Sequence, residues 1–136
     1  MAAKGLDKHQ ARQSELSSFG KDLARRCKSH CELCDAHGVK LNIHEVPPVP
    51  KQPEFESCIF VCETCQEQID KPKSLDINHW HCLHTSAWSE HAPVQVMAVL
   101  MLKRIQDKAD WAEELLDQLY LTEEIQEWIA KAEAEK

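Results

Sequence analysis

The sequence predicts a small α+β protein in which a β-hairpin with two cysteine knuckles is flanked by N-terminal and C-terminal α-helices. Two Cys-x-x-Cys pairs, Cys31/Cys34 and Cys62/Cys65, are joined by the stretch 35–61. That stretch contains two short segments of strand-forming residues, and helical apolar periodicity occupies both ends of the chain. The 136 residues are enough for one compact domain of this kind.

The N-terminal segment is predicted to be helical from Asp7 to residue 26. Asp7 is a residue type that caps helices, and Leu16, Phe19 and Leu23 recur on one helical face. Gly20 weakens the middle of this pattern. Either one helix or two helical pieces are therefore expected.

Two strands are predicted between the cysteine pairs. Val39, Leu41 and Ile43 alternate on one face of residues 39–46, and a proline-rich loop ends that segment. Residues 57–61 can return as the hairpin partner and deliver the second cysteine pair at their end. Two knuckles joined by a hairpin form a ribbon.

Three helices are predicted in the C-terminal part. Pro93 begins an almost continuous apolar run to Ile105, which indicates a buried central helix. Amphipathic helices follow around residues 111–119 and 125–132, and Thr122 can cap the last one. The predicted organisation is an N-terminal helical segment (1–26), the ribbon (27–92) and a C-terminal helical unit (93–136).

The cysteine content points to a metal. No stretch approaches the roughly 20 apolar residues that span a bilayer, and the polar start lacks the apolar core of a signal peptide. A cytoplasmic protein without a membrane partner is therefore expected. In a reducing compartment, seven cysteines are not a disulfide framework, and an odd number cannot all pair within the chain.

Cys31, Cys34, Cys62 and Cys65 are the predicted ligands of one structural zinc ion. Zinc prefers four ligands in a tetrahedron, and each Cys-x-x-Cys turn presents two thiolates to the same ion. Four thiolates leave no open position for water or substrate. The ion would therefore stabilise the fold and would not catalyse a reaction.

Two further cysteines leave open other interpretations of which residues bind the metal and of which metal is bound. Cys27 and Cys58 each stand four residues before a pair, and a helix-end thiol and a strand thiol are their expected roles, although either could replace a ligand. The spacing of Cys27, Cys31 and Cys34 also matches the cluster signature of radical enzymes that cleave S-adenosylmethionine. Those enzymes need a large α/β barrel, for which this chain is too short.

A second cluster of chemically active side chains lies in NHWHCLHTSAWSEH, residues 78–91. Its histidines and cysteine do not have a spacing that brings metal ligands together on a helix. Trp80 and Trp88 are expected to pack the ribbon onto the helices. The members of the cluster are His79, His81, Cys82, His84 and His91.

Six phrases join the cysteine pairs to other residues in a fixed order. They are CELC (31–34), IHEVPP (43–48), VCETCQEQI (61–69), LDINHWHCL (75–83), AWSEHAPVQVMAVLMLKR (87–104) and LLDQLYL (115–121). Together they resemble the N-terminal zinc-ribbon part of the PhnA family over about residues 25–130.

The PhnA family takes its name from a bacterial operon for alkylphosphonate use. The resemblance implies a zinc ribbon with the four paired cysteines as ligands. Family members commonly continue into a small β-rich domain of which this chain shows no sign, so either a short member or a truncated form is expected, and activity residing in that domain does not carry over. The family name does not establish phosphonate chemistry here.

The alternative function is a divalent-metal-dependent nuclease of the HNH type. A zinc-stabilised hairpin bearing a histidine resembles the core of those enzymes, with His44 as the base and Glu45 helping to hold the catalytic ion. Ser57 and Cys58 stand where an asparagine would be needed, and Gln66 and Gln68 where a metal-binding histidine would be. A structural role for His44, covering the metal or bonding a cysteine sulfur, is favoured.

The predicted function is a zinc-binding module or scaffold with a protein or nucleic-acid partner. The net charge of −7 disfavours a broad nucleic-acid-binding face. The basic side chains near the N-terminus could still form a local phosphate-binding patch: Lys4, Lys8, Arg12, Lys21, Arg25, Arg26 and Lys28.

Self-association is a further hypothesis for the acidic C-terminal helices. Their apolar stripes could receive a partner, pair with a second copy as a homo-oligomer, or pack within the chain. The stripes contain Trp111, Leu115, Leu119, Ile125 and Trp128.

Overall fold

The computed structural model describes the backbone of residues 3–134 and the side chains of residues 10–134. It has the predicted α+β architecture, a two-stranded antiparallel hairpin with helices before and after it. In chain order the elements are α1 (Ala3–Ser18), α2 (Gly20–Cys27), β1 (Leu41–Glu45), β2 (Cys58–Cys62), α3 (Glu63–Asp70), α4 (Leu83–Ser86), α5 (Ala92–Ile105), α6 (Asp110–Gln118) and α7 (Glu123–Ala134). Short 3₁₀ turns lie at Phe55–Ser57, Pro72–Ser74 and His79–Cys82.

The hairpin pairs β1 with β2 in a register that runs from Leu41 opposite Cys62 to Glu45 opposite Cys58. β1 begins two residues later than predicted, because Gly38 turns the chain with a positive φ of 70° and leaves Val39 half exposed before the strand starts. The register places the end of β2, and therefore the second cysteine pair, beside the start of β1.

The N-terminal segment forms two helices, the second of the two outcomes expected from Gly20. The break falls at Phe19, between α1 and α2. Leu16 and Leu23 bury their side chains in a small apolar cluster with Cys58, so both helices pack on the hairpin. Asp7 does not begin the helix, because α1 starts at Ala3; the side chain of Asp7 lies outside the described residues.

The central helix of the core is α5, as the apolar run predicts. Pro93 occupies its first turn, where a missing N–H costs no hydrogen bond. Arg104, near the other end of α5, donates to the Ile69 carbonyl at 2.9 Å and so ties α5 to the C-terminal end of α3. The predicted cap of α7 is present, since the Ile125 N–H donates to Thr122 Oγ1 at 3.3 Å.

One apolar core joins the ribbon to the C-terminal helices. It runs without a break from Cys31 and Val46 through Trp80 to Ile129. Trp80 is fully buried, as predicted, whereas the prediction for Trp88 is wrong because half of its surface is exposed. Among the described residues, no helix has the length and apolar character needed to cross a bilayer.

The apolar stripes of α6 and α7 pack within the chain. Leu115 and Ile125 are buried in the main core, and Trp111 lies partly buried against it. Trp128 is also partly buried against the main core. Its Nε1–H donates to the Pro47 carbonyl at 2.9 Å, which holds α7 against the loop between the strands. Self-association through these stripes stays a prediction.

Candidate metal centre

The four predicted ligands come together at one point of the fold. The sulfurs of Cys31, Cys34, Cys62 and Cys65 all lie within 4.8 Å of one another. The distance between the Cys31 and Cys65 sulfurs is 3.7 Å, and that between the Cys34 and Cys62 sulfurs is 3.5 Å. A tetrahedral ion with metal–sulfur bonds of about 2.3 Å sets its sulfurs about 3.8 Å apart, so these four could hold a metal ion.

The second pair is positioned by the passage from strand to helix. Cys62 is the last residue of β2 and the cap of α3, and Cys65 lies in the first turn of that helix. Both sulfurs therefore sit at the N-terminal end of a helix, where its dipole favours thiolates.

The first pair sits in a tight turn closed on itself. The Cys31 N–H donates to the Ala36 carbonyl at 2.8 Å, and the Asp35 N–H donates back to the Cys31 carbonyl at 2.8 Å. The Cys34 N–H faces the Cys31 sulfur at 3.5 Å. Asp35 has a positive φ of 65°, a conformation that aspartate tolerates better than most residues. This geometry points both sulfurs to the same side.

Glu32, inside the first pair, joins the two halves of the site. Its backbone N–H donates to the Phe60 carbonyl at 2.9 Å, and its carboxylate accepts the Phe60 N–H at 2.8 Å. The carboxylate also receives two bonds from Arg26, and both side chains are nearly buried. The first knuckle is thus held against β2, from which the second one starts.

The role of Glu32 is not predictable from the local sequence. Glutamate side chains are mostly exposed in proteins, and the partner Phe60 is 28 residues further along the chain, so no local pattern marks this contact.

Hydrogen bonds couple the thiols of Cys31, Cys34 and Cys65 to one another. Hydrogen bonds with Cys34 and Cys65 lower the pKa of Cys31. The pKa of Cys34 is raised to about 12, first by its bond with Cys31, and that of Cys65 is also raised, first by Cys31 and then by Cys34. A metal ion would have to displace the remaining protons, so metal affinity should fall as pH falls.

A histidine contacts the site, but not the one predicted. His79 Nε2 lies 3.2 Å from the Cys65 sulfur. His44 instead lies 3.3 Å from Gln66 Nε2 through its Nδ1 atom, so its predicted bond to a cysteine sulfur is wrong. The hairpin register explains the difference: His44 faces Ile59, three residues and about 10 Å along β2 from Cys62.

His44 and Glu45 do not form the site that the nuclease alternative requires. Adjacent residues of a strand point to opposite faces, and the Glu45 carboxylate is held by two nitrogens of Arg12. Burial lowers the pKa of His44, and its Nε2 atom is buried without a hydrogen-bond partner among the described side chains. Neither group is arranged to bind a shared ion.

The remaining cysteines stand apart from the four sulfurs. Cys27 is the last residue of α2, and Cys58 is the first residue of β2, fully buried among apolar side chains. These positions agree with the structural roles expected for them. Cys82 lies partly buried on the main core, and burial raises the pKa of its thiol to about 12.

Thiol alkylation should separate Cys27 from Cys58. Burial raises the pKa of both thiols, that of Cys58 to about 11, so reactive thiolate is scarce at neutral pH in each. The Cys58 side chain in addition has no exposed surface, whereas Cys27 is partly exposed. We expect iodoacetamide at pH 7.5 to modify Cys27 at least about tenfold faster in the metal-loaded protein. Peptide mapping by mass spectrometry measures both rates, and equal rates would contradict the burial of Cys58; in urea with a chelator the difference should vanish.

The predicted phosphate-binding patch is partly neutralised. Arg12 binds Glu45, and Arg26 binds Glu32. Arg25 lies 3.7 Å from Asp22. Lys21 and Lys28 are exposed, and the side chains of Lys4 and Lys8 lie outside the described residues.

No family model, no curated protein and no solved structure matches this chain.

Proposed function

We propose that the chain is a zinc-binding ribbon protein of the PhnA type, in which one structural zinc ion held by Cys31, Cys34, Cys62 and Cys65 supports a binding or scaffold module. The observation that carries the proposal is the group of four sulfurs within 4.8 Å of one another. Three of the four cysteines are buried, which leaves little room for a substrate at the ion.

The donor set favours zinc held for stability. Four thiolates complete a tetrahedral shell, and a metal without an open position serves the fold. The sulfur separations of 3.5 and 3.7 Å suit one ion, whereas the thiolates of a four-iron cluster bind separate irons and lie farther apart. Zinc is the common occupant of such sites in reducing compartments.

The binding role rests on how the metal is built into the fold. The four cysteines tie the turn after α2 to the junction of β2 and α3, so the ion would fix the N-terminal helices, the hairpin and the core helices in one arrangement. A rigid module of this kind suits a protein or nucleic-acid partner in the cytoplasm. The proposed membership of the PhnA family is supported by the six sequence phrases.

Native mass spectrometry of the purified protein tests the proposal. We expect one zinc ion per chain, with the mass difference identifying the metal and the charge-state series giving the oligomeric state. A chain that binds no metal after zinc is supplied under reducing conditions, or that carries iron or two metals, would overturn the proposal. A monomeric mass would count against self-association through α6 and α7.

A further inference from the structure

We propose that His79 is a positioning residue of the metal centre, which donates a hydrogen bond from Nε2 to the Cys65 thiolate and so strengthens the hold on the ion. The inference rests on the proposed zinc site and adds to it a residue outside the four ligands. Its basis is the 3.2 Å contact between His79 Nε2 and the Cys65 sulfur, together with the contacts that fix the imidazole there.

His79 lies beside the four sulfurs and is not one of the ligands. The group of metal-binding atoms that lie within 4.8 Å of one another contains the four sulfurs, and among the described residues His79 does not join it. A ligand of a tetrahedral ion would lie close to all the others. The hydrogen-bonding contact of His79 with this group is therefore the one between its Nε2 atom and the Cys65 sulfur.

The loop that carries His79 is clamped onto α3. Gln68 lies one turn after Cys65 and is nearly buried. Its Oε1 atom accepts the Asp76 N–H at 2.8 Å and the Trp80 Nε1–H at 2.7 Å. Both ends of the segment 76–80 are thus bound to one side chain of the helix that carries Cys65.

The imidazole is also fixed by its neighbour. The His79 ring meets the Trp80 ring edge to face, with centroids 5.0 Å apart, and Trp80 is fully buried. The His79 N–H donates to the Asp76 carbonyl at 3.0 Å, which closes the turn. The contact with Trp80 and the closed turn thus bring the His79 side chain to the side of the fold on which Nε2 meets the Cys65 sulfur.

The chemistry of the loaded site calls for such a donor. Four thiolates and one divalent ion leave a net charge of −2 on a largely buried centre, and a buried charge needs compensation. A metal-bound thiolate can only accept a hydrogen bond, so the proton between the two atoms belongs to His79 Nε2. A bond to a thiolate is charge-assisted, and outer partners of this kind typically change metal affinity about 10- to 100-fold.

The test compares His79→Phe, which keeps a ring against Trp80 but has no donor, with His79→Gln, which keeps an N–H donor. His84→Phe is the matched control, because His84 is exposed, its ring packs at a tilt against Trp111, and it does not belong to the four-sulfur group. Zinc affinity is measured by competition with a chromophoric chelator. Cobalt(II) replaces zinc to report the thiolate-to-metal charge-transfer band and the ligand-field bands.

We expect His79→Phe to lower zinc affinity about 10- to 100-fold and to move the charge-transfer band to longer wavelength, with ligand-field bands that still indicate four sulfurs. His79→Gln should recover much of the affinity, and His84→Phe should match the wild type. Unchanged affinity and band position in His79→Phe would overturn the inference while leaving the zinc site standing. Ligand-field bands that change to another donor set would make His79 a ligand, which also overturns it. A wild-type protein without a four-sulfur cobalt spectrum would instead refute the proposed function.

Discussion

Replacing Cys31 with serine is expected to lower zinc affinity about 100-fold or more, so that the hairpin region unfolds at free zinc concentrations about 100-fold higher than those at which the wild type unfolds. Structural zinc typically contributes about 10–16 kcal/mol, and the loss of one thiolate of four removes roughly a quarter of that, about 3 kcal/mol. Because the site exists only in the folded chain, the lost binding energy is lost folding energy. Circular dichroism during a zinc titration measures both effects, and a chelator should unfold the wild type in the same way.

Cys27→Ser is the matched control for this prediction. Cys27 stands four residues before Cys31, carries the same thiol and lies only partly buried at the end of α2. Its replacement should leave the zinc affinity within about twofold of the wild type, since it lies outside the four-sulfur group. If both variants lose zinc equally, or if a chelator leaves the thermal midpoint of the wild type unchanged, the metal does not have the structural role argued above.

Replacing Trp80 with alanine is expected to destabilise the zinc-loaded protein by about 3–5 kcal/mol. The side chain is fully buried where the ribbon meets the C-terminal helices, so its removal leaves a cavity in the core. The Gln68 carbonyl oxygen keeps its bond from the Asp76 N–H, so the lost packing accounts for most of the cost. Urea unfolding at saturating zinc, followed by circular dichroism, measures the change.

Trp88→Ala is the control for the effect of losing a tryptophan as such. Trp88 lies eight residues further along the same segment, but half of its surface is exposed. Its removal should change stability by no more than about 0.5 kcal/mol. Unfolding at the same urea concentration in both variants would show that Trp80 does not lie in the core.

The local parts of the site follow from short stretches of sequence. A Cys-x-x-Cys turn needs only neighbouring residues to direct two sulfurs to one side, and the alternating pattern of residues 39–46 predicts a strand to within two residues. Pro93 and Thr122 mark the starts of α5 and α7 because their effects act within one helical turn. The break between α1 and α2 next to Gly20 is also predicted locally, because a glycine weakens the helix in which it stands.

The partners of the polar side chains could not be predicted in this way. Of the two structural roles expected for His44, covering the metal or bonding a cysteine sulfur, the sulfur contact is made by His79 instead. Which histidine reaches the sulfur depends on the hairpin register and on two hydrogen bonds of Gln68. These bonds join Gln68, in α3, to Asp76 and Trp80 in the following segment, 8 and 12 residues further along the chain. No periodicity marks residues 71–82, so the sequence offered no signal for the path of that loop.

What the sequence by itself determined is therefore the α+β class, the choice of the four cysteines that come together, and the starts of α5 and α7, because each depends on patterns within short stretches of sequence. The tertiary structure alone decided that Glu32 holds the first knuckle on β2 and that Arg12 forms an ion pair with Glu45. It also decided that the core is filled by Trp80 and not by Trp88. Those outcomes depend on contacts between residues far apart in the chain. Such contacts are fixed only when the helices and the hairpin pack together and most buried polar groups find a partner.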